Sequence, residues 1–142
     1  MQFDETRTGK DKEMNMKLEH VALNVREPAK MAEWWCENLG METIYSGPSP
    51  IDCRFIRDCS GTMCLELYHN PSEAPDYAAK VPLELHIGME CDDPESEAER
   101  LVAAGAKLEV VERPRGMTLV MMRDPWGVCF QLCRRPEPTL KC

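Results

Sequence analysis

A chain of 142 residues, 43% hydrophobic and 30% charged, suits one packed domain and is too short for two independent domains of ordinary size. Its formal charge of −8 and pI near 4.9 exclude the concentrated basic surface that nucleic-acid binding requires. No apolar run approaches the roughly 20 residues needed to cross a bilayer, which excludes a membrane span and leaves small molecules or proteins as partners.

Residues 1–16 are polar and charged and read as a flexible N-terminal arm, with Met14 and Met16 as alternative starts. With no export signal in it, the expected compartment is the cytoplasm. There most of the eight cysteines read as small buried hydrophobes rather than disulfides. No CxxC occurs, and the spacings Cys59/Cys64 and Cys129/Cys133 match no zinc-finger pattern.

The first strand, Leu18 to Val25, alternates with period two: Val21, Leu23 and Val25 on one face, His20, Ala22 and Asn24 on the other. Pro28 opens a helix whose apolar stripe is Met31, Trp35 and Leu39, with Gly40 as its stop. Strand signals follow at Glu42 to Ser46, Cys53 to Arg57 and Met63 to Tyr68. A proline-rich stretch, 71–82, reads as a linker.

The grammar then repeats. A strand carries Leu85, Ile87 and Met89 opposite His86, Gly88 and Glu90. Asp92 or Asp93 caps a helix that opens at Pro94, buries Ala98, Leu101 and Val102, and ends at Gly105. Strands are expected at Lys107 to Glu112, Met117 to Met122 and Val128 to Cys133. An offset of 66 relates His20 to His86 and Pro28 to Pro94, and one of 65 relates Gly40 to Gly105 and Glu66 to Gln131. One deletion accounts for the change. A long period present twice is a duplicated βαβββ unit rather than a solenoid. The domain reads as 17–136, built from modules 17–70 and 83–136 around the linker, with a C-terminal tail at 137–142.

Alternation decides which side chains share a surface. Leu65 and Leu67 take the apolar face of the fourth strand and leave Cys64, Glu66 and Tyr68 opposite. Val128, Phe130 and Leu132 do the same in the eighth and leave Cys129, Gln131 and Cys133. His20, Glu66, His86 and Gln131 are therefore expected mid-strand, facing away from the helices and around one centre. Two imidazoles, a carboxylate and an amide oxygen suit a divalent first-row metal. His69 has the opposite parity and belongs to the loop before Pro71. The three tryptophans, Trp34, Trp35 and Trp126, read as core or interface. Tyr68 and Asn24 share the groove-facing parity, so they either contact substrate or line a crowded interior. The arginines Arg54, Arg57, Arg115 and Arg123 are candidates to hold an anionic substrate.

The paired units, the opening His-Val-Ala-Leu-Asn-Val, the Leu-Glu-Leu at Leu65 to Leu67, the His-Ile at His86 and the Arg-Asp-Pro-Trp-Gly at 123–127 resemble the vicinal oxygen chelate superfamily of glyoxalases, bleomycin resistance proteins and extradiol dioxygenases. The resemblance covers Leu18 to Arg135. It implies an α+β fold in which two βαβββ modules pair into one domain with a cupped, barrel-like sheet, commonly as a homodimer. It also implies a divalent ion (Ni, Co, Zn, Mn or Fe) on His20, Glu66, His86 and Gln131. The last position departs from most enzymes of the family, which carry Glu there. A lyase or isomerase that stabilises an enediolate, with Glu66 as the base, is the leading expectation. An extradiol-type dioxygenase needs a carboxylate where Gln131 stands, and a non-catalytic binding or resistance protein would not need the ligand set. Glu90 is the next groove-facing carboxylate.

Overall fold

The computed structural model describes residues 14–140, so residues 1–13 of the expected arm and 141–142 of the tail lie outside it. The first module runs β1 (His20–Asn24), α1 (Pro28–Leu39), β2 (Glu42–Ser46), β3 (Arg54–Arg57) and β4 (Cys64–Tyr68). The second runs β5 (Ile87–Glu90), α2 (Pro94–Ala103), β6 (Lys107–Glu112), β7 (Thr118–Arg123) and β8 (Cys129–Arg134). Each module folds into a four-stranded sheet, ordered β1-β4-β3-β2 and β5-β8-β7-β6. In both, the first strand pairs parallel with the last and the other pairings are antiparallel.

The duplication reaches into backbone detail. Register shifts fall between Thr43 and Tyr45 in β2 and between Leu108 and Val110 in β6, positions related by the same offset as Glu66 and Gln131. Helix ends follow the expected signals: α1 has proline at its start and stops at Gly40 with φ 68°, while the Asp93 carboxylate accepts from Ser96 N at 3.2 Å to cap α2.

Two expectations fail at strand starts. β1 begins at His20 rather than Leu18, which is exposed, so His20 opens the strand instead of sitting mid-strand, and Val21 is itself 42% exposed. β5 begins at Ile87, so His86 is not mid-strand. The cause is a turn closed by Glu84 N donating to Val81 O, entered through Pro82, which has no N–H to offer a ladder. A third concerns Val102, which turns to solvent because the buried face of α2 runs through Pro94, Ala98 and Leu101.

One core serves both modules. Leu23, Met31, Trp35, Ile56 and Leu67 cluster with Leu101, Val120, Met122, Val128 and Phe130. The tryptophans join the halves: Trp35 packs edge-on against Phe130, with ring centroids 5.8 Å apart, and donates to Asp124 Oδ2 at 2.9 Å. Trp34 donates to Ala104 O and Trp126 to Glu27 Oε1. Each removes a large apolar surface from water and satisfies its one polar atom on the other module.

The linker is clamped rather than draped. Arg123 donates to Tyr77 O at 2.9 Å and Lys80 O at 2.7 Å while its Nε meets Glu109 Oε1. Ala78 lies directly over Gly127: a Cβ there would fall 2.7 Å from Ala78 N, and Gly127 has φ 86°. Only glycine meets both conditions.

Candidate functional site

The open face of the first sheet carries the first half of the predicted ligand set. Ala22 pairs with Glu66 and Phe55 pairs with Glu66, so the carboxylate rises from the middle of the sheet. His20 sits two residues before Ala22 on the same face, and its Nε2 lies 3.2 Å from Glu66 Oε2. Its Nδ1 meets Glu19 Oε1 at 3.0 Å, and the ring packs edge-on against Phe55. The other carboxylate oxygen of Glu66 accepts from the Cys53 thiol at 3.6 Å. Burial, followed by the nearby Glu66 charge, pushes that thiol up from its ordinary pKa.

The second sheet repeats the arrangement. Gly88 pairs with Gln131 and His86 lies two residues before Gly88, as His20 stands to Glu66. The His86 Nδ1 lies 3.1 Å from Pro82 O, which can only accept, so that nitrogen carries a proton and a neutral ring would offer the lone pair of Nε2. Gln131 Oε1 accepts from the Cys133 thiol at 3.3 Å.

Within one chain the halves do not meet. Among the described residues no three His, Cys, Asp or Glu side chains are grouped so that they could hold a metal ion, so His86 does not join His20 and Glu66. Nor are the two sheets hydrogen-bonded to each other. Their open faces leave apolar groups in water: Tyr45, in register with Phe55 and Glu66, is 54% exposed, and Val110, in register with Met121 and Gln131, is 46% exposed. Leu83 and Leu85 stand exposed beside His86. A cleft of about 780 Å³ lies elsewhere, between the linker and the Asp124–Gly127 loop, and contains none of the four residues.

Other candidates are absorbed by structure. His69 places Nδ1 2.9 Å from Val25 O, away from Glu66, as its parity required. Asn24 exchanges two hydrogen bonds with the backbone of Asn70 and so pins the start of the linker. Arg57 pairs with Glu42, Arg54 with Asp52 and Arg123 with Glu109, which removes three of the four arginines proposed to hold an anion. Arg115 sits in a turn with φ 52°. The described cysteines are all free. What sequence reading missed is Cys53, whose contact with Glu66 depends on how the loop before β3 closes.

A model of the glyoxalase/bleomycin resistance protein/dioxygenase superfamily matches residues 17–132. The chain belongs to that superfamily. Solved structures with the same fold include TnmS3, an antibiotic-binding protein from Streptomyces sp. CB03234, at 16% identity, covering 85% of this chain and 97% of that one with a TM-score of 0.66. SMU.1112c is 24% identical, with coverage of 84% and 98% and a TM-score of 0.65. Fosfomycin resistance protein FosX from Mesorhizobium loti is 19% identical, with coverage of 86% and 94% and a TM-score of 0.63. No curated protein matches the sequence. As a glyoxalase-superfamily chain it has a family in which divalent metals are common and small molecules are bound. Among the described residues no helix is long and apolar enough to cross a membrane.

Proposed function

We propose that this glyoxalase-superfamily chain is a cytoplasmic, metal-dependent lyase or isomerase whose site closes between two copies of the chain. The observation that carries the reading is the state of the two histidines. Each has Nδ1 engaged by an oxygen acceptor, which leaves Nε2 as the outward nitrogen, and at His20 it is directed at the carboxylate. Metal-ligating imidazoles are held in this way, with the distal nitrogen anchored; at His86 the other nitrogen is free to coordinate, and at His20 it stands beside the Glu66 oxygen with which it would share an ion.

His20 and Glu66 from one copy, with His86 and Gln131 from the second, would hold a divalent ion such as Ni, Co, Zn, Mn or Fe through nitrogen and oxygen donors. When bound, such an ion supplies Lewis acidity toward two neighbouring substrate oxygens and stabilises the enediolate left by loss of the adjoining proton. Glu66 takes that proton, since it is the single carboxylate in the set of four. Gln131 keeps an oxygen donor but removes one negative charge relative to the usual Glu, which weakens ion binding and leaves the ion a stronger acid. The exposed Tyr45 and Val110 support closure between copies, because apolar groups on the ligand-bearing faces gain a partner there.

An antibiotic-binding protein and a fosfomycin resistance protein among the structural relatives support a second reading, a non-catalytic binding or resistance protein. An extradiol-type dioxygenase has less support because Gln131 stands where its carboxylate is needed.

Subunit complementation tests the leading reading. Protein prepared without a histidine tag is assayed for bound metal as wild type, His20→Ala, His86→Ala and the two variants co-expressed. Each variant alone is expected to bind no metal. Random pairing of the two restores about a quarter of the wild-type capacity, because half of the dimers then contain one intact site of two. Absence of metal from reconstituted wild type rejects the metal-dependent reading in favour of the binding protein. Failure of the mixture alone rejects closure between copies.

A further inference from the structure

The loop between β2 and β3 is built more tightly than a surface connection requires. Gly47 N donates to Cys53 O at 2.7 Å and Asp52 N donates to Pro48 O at 3.0 Å, closing the neck. Arg54 Nη1 lies within 3.3 Å of the carbonyl oxygens of Gly47, Asp52 and Cys53, and 2.9 Å from the Asp52 carboxylate, which holds Asp52 at φ 54°. His69 N donates to Ile51 O, tying the far side of the loop to the end of β4. Gly47 has no side chain where a Cβ would come within 3.3 Å of Cys53 Cβ. Each contact narrows where the Cys53 side chain can go. It goes to Glu66, with Sγ 3.6 Å from Oε1, while Oε2 is the oxygen 3.2 Å from His20 Nε2.

We propose that Cys53 is a positioning residue for Glu66: its thiol, held by the Arg54-clamped loop, donates to Oε1 and turns Oε2 toward His20 and the ligand-binding face. The proposal deepens the metal-site reading above and rests on it for its functional consequence. A carboxylate on a strand is otherwise free to rotate about its terminal torsion, which is broad and roughly two-fold. One donor on one oxygen removes that symmetry. An ordinary thiol is protonated at neutral pH and can serve as this donor, weakly but without bringing a second charge to the site. The clamp explains why Arg54 is half-buried and committed to backbone rather than available to a substrate.

The test uses the full chain and two readouts. Metal-depleted protein is titrated with Co²⁺ by calorimetry and by its visible absorption, as wild type, Cys53→Ala, Cys53→Ser and the exposed control Cys59→Ser. Cys53→Ala is expected to lower Co²⁺ affinity about tenfold, the lower end of what loss of a ligand-orienting partner causes. Cys53→Ser, which keeps a donor, should stay within about threefold of wild type, and Cys59→Ser should match it. Separately, the infrared S–H stretching band that disappears in Cys53→Ala should move to higher wavenumber in Glu66→Ala, with or without metal. Unchanged affinity in Cys53→Ala overturns the proposal, as does an S–H band that ignores Glu66→Ala. An intense thiolate-to-cobalt band in the near ultraviolet also overturns it, because Cys53 would then be a ligand itself. If wild type binds no Co²⁺, the metal-site reading fails while the S–H band still decides whether Cys53 orients Glu66.

Discussion

Replacing Trp35 with Phe isolates the joint between the two modules. The ring still packs on Phe130, but the N–H that reaches Asp124 Oδ2 at 2.9 Å is lost. Asp124 is 4% exposed and keeps two other donors, Trp126 N and Val128 N, both on Oδ1. Losing a hydrogen bond to a charged group costs about 1.5–3 kcal/mol. The space left by the smaller ring adds about 1–2 kcal/mol, a fraction of a full truncation. At about 3 °C per kcal/mol for a chain of this length, Tm should fall by about 8–15 °C.

The pH dependence identifies the cause. Burial raises the Asp124 pKa above its ordinary value, and the Trp35 hydrogen bond is the largest of the influences pulling it back. A raised carboxylate pKa means that folding is favoured most when the group is protonated and loses that advantage as pH rises through the folded value. Without Trp35 the folded pKa climbs further, so the variant is penalised more at neutral pH than in acid. Urea titrations followed by circular dichroism should therefore give a penalty that shrinks as pH is lowered from about 7.5 toward 4. A penalty that stays constant, or grows in acid, would refute the assignment of the loss to the Trp35–Asp124 bond.

Gly127→Ala should destabilise the chain by about 2 kcal/mol or more, because the new Cβ meets Ala78 at a positive φ, and limited proteolysis should then cut the linker faster. Unchanged cleavage between residues 71 and 82 would show that the linker is held without this contact. His69→Ala should leave metal affinity within about threefold of wild type while costing about 1 kcal/mol of stability through the lost bond to Val25 O. Loss of metal binding in His69→Ala, read by the same Co²⁺ titration, would mean that strand parity misassigns the histidines.

Much of the architecture is legible in the residues because it is local. Period-two alternation put His20 and Glu66 on one face, and their 3.2 Å approach follows from the parallel pairing of first and last strands in a repeated unit. Pro28, Gly40, Pro94 and an aspartate at 92 or 93 marked helix ends because caps are satisfied within a turn or two of chain. The family, too, is carried by short motifs. Strand length was not legible: whether Leu18 or His86 extends a ladder depends on a partner strand being there to bond with, and for His86 the turn at Pro82 intervenes. The same holds for the joints. Trp35 looked apolar and buried, but its use of Asp124, and the commitment of Arg123 to Tyr77 and Lys80, depend on groups more than forty residues away. Cys53 meets Glu66 through a loop closed by Arg54 and Gly47. Alternation and capping are set by covalent geometry and near neighbours, so the sequence alone determined the modules and the faces on which the candidate ligands lie. Which distant donors meet which acceptors depends on how whole sheets and helices pack, and that only the tertiary structure decided.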